Sequence, residues 1–197
     1  MDNDAPATGA AENARIILIT GLMAAGKSTV AQALAERLLK SVHLRGDLFR
    51  RMIVNGQAEM GFELSAEALA QLQLRYRLAA MVAGEYLAAG FTVVYQDIIL
   101  GEGLAEVLSL LAHHPLYLVV LCPSPAAVAA REAGRNKTGY GDLAWIEPFD
   151  RVLRDETPRL GLWIDSSTLT VDKTVEKILT NLEQALIKLP ESLEDGK

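Results

Sequence analysis

The sequence predicts an α/β fold, a parallel sheet flanked by helices, and three observations carry that prediction. Short apolar runs of strand length alternate with longer stretches of helical period, which is the pattern of repeated strand–helix units. The first such run, "IILIT", passes through a glycine-bearing turn directly into an alanine- and leucine-rich helix. The chain has 197 residues, 50% hydrophobic and 22% charged, with no internal repeat, which suits one domain around one core.

Each element has its own local signal. A buried-type strand is expected over 15–20 and a helix over 27–39. A short second strand covers 41–44, followed by a short helix over 48–54 that Asn55-Gly56 ends. A long helix is expected over 65–89. Its Leu69, Leu72, Tyr76, Ala79, Ala83 and Leu87 recur at three- and four-residue steps and share one face, and Gly90 stops it. A β-branched and aromatic strand follows over 91–95, then a helix over 104–111 and a strand over 116–121. Ser124-Pro125 supplies a side-chain cap and a proline at the first helical position, so a helix begins there and runs to Gly134. The polar stretch 135–142 reads as a loop, 146–156 as helix and 160–164 as a fifth strand. Val175, Ile178, Leu179, Leu182, Leu186 and Leu189 mark a closing helix. The folded domain is therefore expected over 15–189, with flexible tails at 1–14 and 190–197.

The segment Gly21, Leu22, Met23, Ala24, Ala25, Gly26, Lys27, Ser28, Thr29 matches the phosphate-binding loop in full. Its glycines permit backbone dihedrals that turn successive N–H groups inward. The loop feeds a helix N-terminus, where unpaired N–H groups and the helix dipole favour an anion. Lys27 is placed to reach the outer phosphates and the Ser28 hydroxyl to occupy one position on Mg2+. A strand before and a helix after supply the context that an incidental glycine-rich turn lacks.

Such loops serve switches, motors and kinases. Asn136-Lys137-Thr138-Gly139 lacks the carboxylate that would read guanine, and Gln96-Asp97 offers one carboxylate where motors place two, so neither class gains support. A small-molecule kinase needs a base for a hydroxyl proton, cations for the moving phosphoryl group and a lid. Asp47 follows the second strand on the sheet edge where ligands bind. It can accept a hydroxyl proton, or it can cap the short helix that it opens; the phosphate loop on the same edge favours the first role. Arg131 and Arg135 share a helix face and Lys137 follows in the glycine-bearing loop. These cations fit a lid over phosphates, or a solvated basic helix end. Asp97 is expected as a magnesium-water or acceptor-hydroxyl contact. The Gly101-Glu102-Gly103 segment fits either a pocket wall or a plain turn. Arg50 or Arg51 can face the acceptor, whereas Arg75 and Arg77 read as surface or ion-paired residues.

Composition narrows the partners. A net charge of −6 disfavours a polyanion such as nucleic acid as main partner while permitting a local basic site. Cys122 is the only cysteine, so no internal disulfide or all-cysteine metal site can form, which fits a reducing cytoplasm. The first 13 residues have neither a positive start nor an apolar core, so no secretory segment is expected. No apolar run approaches the roughly 20 residues of a membrane-spanning helix. His43, His113 and His114 lack metal-ligand spacing.

The blocks "GLMAAGKST", "RGDLFRRM", "VVYQDIILGEG", "VLCPSPAAVAAREAGRNKTGYG" and "LGLWIDSSTLT", in this order, resemble the chloramphenicol phosphotransferase-like P-loop kinases. More distantly they are similar to shikimate and gluconate kinases. The resemblance implies a three-layer P-loop kinase fold with strand order 2-3-1-4-5, ATP and Mg2+ as cofactors, a base at Asp47 and lid cations at Arg131 and Arg135. It also implies that 164–168 passes close to the adenine. The segment 55–66 and Gln96 depart from the antibiotic-modifying enzyme, so the phosphorylation chemistry carries over rather than the acceptor. The expected function is ATP-dependent transfer of the γ-phosphate to a hydroxyl of a small molecule. The alternative is a nucleotide-dependent binding module with little turnover.

Overall fold

The computed structural model describes residues 14–61, 63–134 and 143–188. The expected tails, 1–14 and 190–197, fall outside them except for Ala14. Five strands form one parallel sheet: β1 (Ile16–Gly21), β2 (Ser41–Arg45), β3 (Thr92–Gln96), β4 (Leu116–Leu121) and β5 (Leu162–Ile164), in the order β2-β3-β1-β4-β5. The order is the expected one. Every residue of β1 and β3 is buried, which is why both read as continuous apolar runs rather than alternating ones.

Among the described residues seven helices cover the sheet: α1 (Lys27–Glu36), α2 (Asp47–Arg51), α3 (Ala66–Ala88), α4 (Gly103–Leu110), α5 (Pro125–Ala133), α6 (Ile146–Arg151) and α7 (Val171–Thr180). α1 packs on α7, α3 on α4, and α5 on α6, giving three layers under the right-handed crossover rule. Expected caps form: Ser65 Oγ accepts from Ala68 N and Ser124 Oγ from Ala127 N, with Pro125 at the first helical position. Among the described residues no helix is long and apolar enough to cross a membrane.

Several boundaries differ from expectation for local reasons. α1 stops at Glu36, and Leu39 is fully exposed beyond it. α2 begins at Asp47 and ends at Arg51, shorter than expected. On α3 the buried position is Ala68 and not Leu69, whose side chain faces out. The helix over 146–156 is an α segment followed by a π-helical turn, Val152–Glu156. β5 begins only at Leu162, after Gly161 turns with φ +69°. The closing helix ends at Thr180, where Asn181 Nδ2 donates to Lys177 O at 2.8 Å. A 3-10 turn, Leu182–Ala185, follows, and Leu186 then bridges antiparallel to Tyr117.

Candidate functional site

The sheet delivers its chemistry to one edge. Gly21, Gly46-Asp47 and Asp97 all lie at or just past the carboxyl ends of strands, where the order reverses on either side of β1. A cleft of about 600 Å³ opens there. Its floor is the phosphate loop, from Met23 to Thr29.

The loop's shape follows from close packing. Gly21 has φ +140°, and a Cβ there would stand 2.3 Å from Leu121 O on the neighbouring strand. Ala25 N donates to Leu22 O at 3.2 Å, Ala24 is left-handed at φ +57°, and Gly26 caps α1 at φ +96°. The start of α1, at Lys27, Ser28 and Thr29, therefore lines the cleft, where a helix N-terminus favours an anion. The buried Lys27 ammonium folds back onto the loop, donating to Gly21 O at 2.9 Å and Leu22 O at 2.7 Å. Ser28 is exposed within the cleft.

Two further elements close the donor end. Arg131, on α5, donates to Ala25 O at 3.2 Å and to Ser166 O at 2.5 Å, so it clasps the phosphate loop to the segment after β5. That segment is held by Asp165, which accepts from Ser167 N at 2.9 Å and from the Ser167 hydroxyl; these bonds keep the Asp165 carboxyl below its usual range. Ser166, Leu169, Thr170, Val171 and Thr174 line this end, and the buried Ser166 hydroxyl has no partner among the described residues.

The other end is built from charge. Gly46 approaches β3 so closely that a Cβ would lie 2.0 Å from Asp97 Oδ2. This brings Asp47 beside Asp97. Asp97 is buried, and both its oxygens are engaged: Arg75 Nε donates to Oδ2 at 2.7 Å, Arg75 Nη2 to Oδ1, and Ile98 N to Oδ1 at 2.7 Å. The carboxylate expected to meet magnesium or acceptor is thus ion-paired inside the cleft, and Arg75, expected to be at the surface or ion-paired, is its partner. Burial pulls the Arg75 guanidinium down from its ordinary pKa, against the opposing pull of Tyr76, Tyr95 and Asp47. Burial also pushes the Tyr76 phenol up to about 12, with its hydroxyl 3.4 Å from Ile98 O. Asp47 does not cap α2 through its side chain. Its Oδ2 accepts from Arg45 Nη2 at 3.3 Å and from Arg51 Nη2, while its buried Oδ1 has no partner among the described residues.

Of the residues expected at a site, Met23 to Thr29, Asp47, Asp97 and Arg131 converge on this cleft, and the carbonyls of Gly21 and Leu22 hold Lys27 beneath it. Arg135 and Lys137 lie outside the described residues. The Gly101 turn is tied elsewhere, to Thr157 Oγ1 at 2.8 Å, and does not line the cleft. Neither do the described residues of 55–66, which Gln71 fastens to α3 through Gly56 O and Ala58 N. Arg45 and the segment 169–174 line the cleft without having been expected there. Arg45 carries no spacing signal, being one charge at a strand end.

Comparison with known proteins agrees with this geometry. A family model described as an AAA domain matches residues 16–152. The chain belongs to that AAA domain family. Its matched span runs from β1 through α6 and so contains the phosphate loop, Asp47, Asp97 and Arg131. Comparison with curated protein sequences gave no match. Among solved structures, a sugar kinase from Janibacter sp. superposes with a TM-score of 0.64 at 18% identity, covering 87% of this chain and 96% of that one. The tunicamycin resistance protein of Deinococcus radiodurans gives 0.64 at 20% identity, covering 90% and 100%. The APS kinase of Mycobacterium tuberculosis in complex with AMPPNP and APS gives 0.62 at 20% identity, covering 86% and 98%. At these identities the likeness establishes the fold, that of the P-loop kinases. It does not single out the chloramphenicol phosphotransferase-like subgroup.

Proposed function

We propose that the chain is an ATP-dependent phosphotransferase that moves the γ-phosphate to a hydroxyl of a small molecule. The observation that carries this reading is one cleft holding both a phosphate loop and, at its far end, an aspartate with a buried carboxylate oxygen lacking a partner.

The residues present fit ATP and Mg2+. The loop amides at the start of α1 form an anion cradle, and Lys27 and Arg131 rest on neutral carbonyls that a phosphate oxygen would outcompete as acceptor. Among the described residues no cluster of three His, Cys, Asp or Glu could hold a metal alone. That suits Mg2+, which is commonly held by one or two protein groups together with phosphates and water. Ser28 would be its protein ligand, and Asp97, already paired with Arg75, would reach it through water. Bound ATP with Mg2+ supplies an activated phosphoryl group. Ser166, with its unpartnered hydroxyl, and Leu169 would meet the nucleoside, in line with the implied passage of 164–168 near the adenine.

The chain's own residues then do three things. Asp47 Oδ1 accepts a hydrogen bond from the acceptor hydroxyl and takes its proton as that oxygen bonds to phosphorus and the bond to the ADP oxygen breaks. Lys27, Arg131 and, in the lid, Arg135 neutralise charge on the transferring group. Asp97 and Arg75 hold the acceptor end in register.

Acceptor-dependent ADP release across sugars, polyols, nucleosides and antibiotics tests the reading. Stimulated release supports a kinase. No stimulation, together with nucleotide-dependent capture of a partner protein, supports the binding-module alternative. Asp47→Asn is expected to retain nucleotide binding and to slow transfer by at least about 100-fold, the scale of general-base loss. Unchanged transfer in that variant would remove Asp47 from the base role.

A further inference from the structure

Side chains alternate across a strand, so the end of the sheet presents two different faces to the cleft. Tyr95 and Asp97 share one face, and Asp97 pairs there with Arg75 of α3. The other face belongs to α1. His43 meets Gln32 of α1, and Arg45, two residues on, shares its side. Gln96 stands beside Arg45 in register, on that same face. It is buried and lines the cleft, and among the described residues its amide makes no side-chain hydrogen bond. Arg45 therefore lines the cleft on the side of Lys27 and Ser28, and its neighbour on β3 is neutral. Its hold on Asp47 is loose. Nη2 donates to Asp47 Oδ2 at 3.3 Å, an oxygen that also takes Arg51, and the buried Arg45 Nε has no partner among the described residues. A buried donor without an acceptor is costly, and the planar fork of a guanidinium matches phosphate oxygens two at a time.

We propose that Arg45 is a further catalytic residue, which leaves Asp47 for the γ-phosphate when a nucleoside triphosphate fills the phosphate loop. This rests on the phosphotransferase reading of the same cleft and adds a residue to it. In-line transfer puts the acceptor oxygen within hydrogen-bond reach of Asp47 and about 3 Å from phosphorus. A donor already in contact with Asp47 is thus a side-chain rotation away from the phosphoryl oxygens. The phosphate carries more charge than one carboxylate oxygen shared between two arginines, so it draws Arg45 away. Arg51 keeps its hold on Asp47 Oδ2. With one cation fewer beside it, the Asp47 carboxylate becomes the stronger base once the phosphoryl donor is in place. Nucleotide binding and base activation are then coupled through one side chain. Arg45 forms no covalent bond and stays protonated throughout. It lies at the end of an edge strand with its side chain partly exposed, so it can change to glutamine without opening the core.

Calorimetric titration of the full chain with AMPPNP and with ADP, each with Mg2+ and no acceptor, tests this, because only AMPPNP carries a third phosphoryl group. The ratio of AMPPNP affinity to ADP affinity is expected to fall about tenfold in Arg45→Gln, the scale of one charge-assisted hydrogen bond. ADP affinity should stay at the wild-type value, which also reports that the variant folds; Arg45→Met repeats the measurement if Arg45→Gln does not fold. Arg51→Gln removes the other cation on Asp47 and should keep the wild-type ratio. An unchanged ratio in the Arg45 variant overturns the proposal. So does an equal fall in Arg51→Gln, which would assign the effect to the general charge of this end of the cleft. The readout needs no acceptor, so it separates from the kinase reading. A ratio that depends on Arg45, without ADP release by any acceptor, would defeat the transfer reading alone. Acceptor-stimulated release with a ratio indifferent to Arg45 would defeat this inference alone.

Discussion

A single histidine shows how the site's charges reach beyond the cleft. His43 sits on β2, two residues before Arg45, with Nδ1 2.9 Å from Gln32 Oε1 and a buried Nε2 without a partner among the described residues. Burial, and then Arg45, push its pKa below the ordinary 6.5, with Asp47 pulling the other way. The folded state therefore prefers the neutral ring. Its contribution to stability is complete above the unfolded value and is lost as pH falls through the lower folded value. Denaturant midpoints of the wild type and His43→Gln should thus converge, or cross in favour of the variant, between about pH 7 and about pH 5. Parallel curves would show that the ring does not titrate differently in the fold. At this scale the sequence was legible where a residue belonged to a pattern. Lys27 and Ser28 follow from the loop spacing, and Asp47 from its place after a strand. Arg45 and Arg75 were not legible as cleft residues, because a lone arginine at a strand end or inside a helix has no spacing that says which way it points. Only the fold, which sets Arg75 against Asp97, does that.

At the scale of elements, the join between β2 and α2 sets the acceptor end. Gly46 has ordinary helical dihedrals, φ −62° and ψ −32°, so any residue could adopt its backbone. What excludes a side chain is space, since a Cβ would meet Asp97 Oδ2 at 2.0 Å and Tyr95 Cε2 at 3.1 Å. Gly46→Ala must therefore push Asp97 from Arg75 or lift α2 from β3. A loss of about 1–3 kcal/mol in unfolding free energy, the usual range for overpacking, is expected. Unchanged stability would mean that the buried pair moves without cost. Element existence was well marked, because continuous apolar runs, a serine–proline start and a glycine stop each have one dominant physical cause. Boundaries were less so. The closing helix keeps an apolar period through Leu189, yet Asn181 turns its side chain onto Lys177 O and ends the α segment. Leu69 fits the periodic face of α3, but at the start of that helix the neighbouring Ala68 takes the buried position and Leu69 stays exposed.

For the molecule as a whole, one sheet edge joins elements far apart in sequence. Thr20 Oγ1 donates to Ile99 O at 2.8 Å and accepts from Ile99 N at 3.0 Å, locking the end of β1 to the segment carrying Asp97. Arg131 ties the phosphate loop to the segment after β5. A ligand in this cleft therefore braces β1, α1, α5 and the β5–α7 connection together, and it can do so only in the folded chain. Binding then stabilises by mass action, about 2.7 kcal/mol at a free concentration 100 times the dissociation constant. For a chain of this length that corresponds to a rise in Tm of about 5–10 °C, at about 2–4 °C per kcal/mol. AMPPNP with Mg2+ should produce that rise, and Lys27→Ala should remove most of it, since Lys27 supplies the charge beneath the loop. Arg131→Ala should lose part of the rise by unclasping the two segments while leaving the loop intact. A full shift retained in Lys27→Ala would place the nucleotide somewhere other than this loop. Equal shifts in wild type and Arg131→Ala would show that the clasp contributes to the resting fold and not to the bound state.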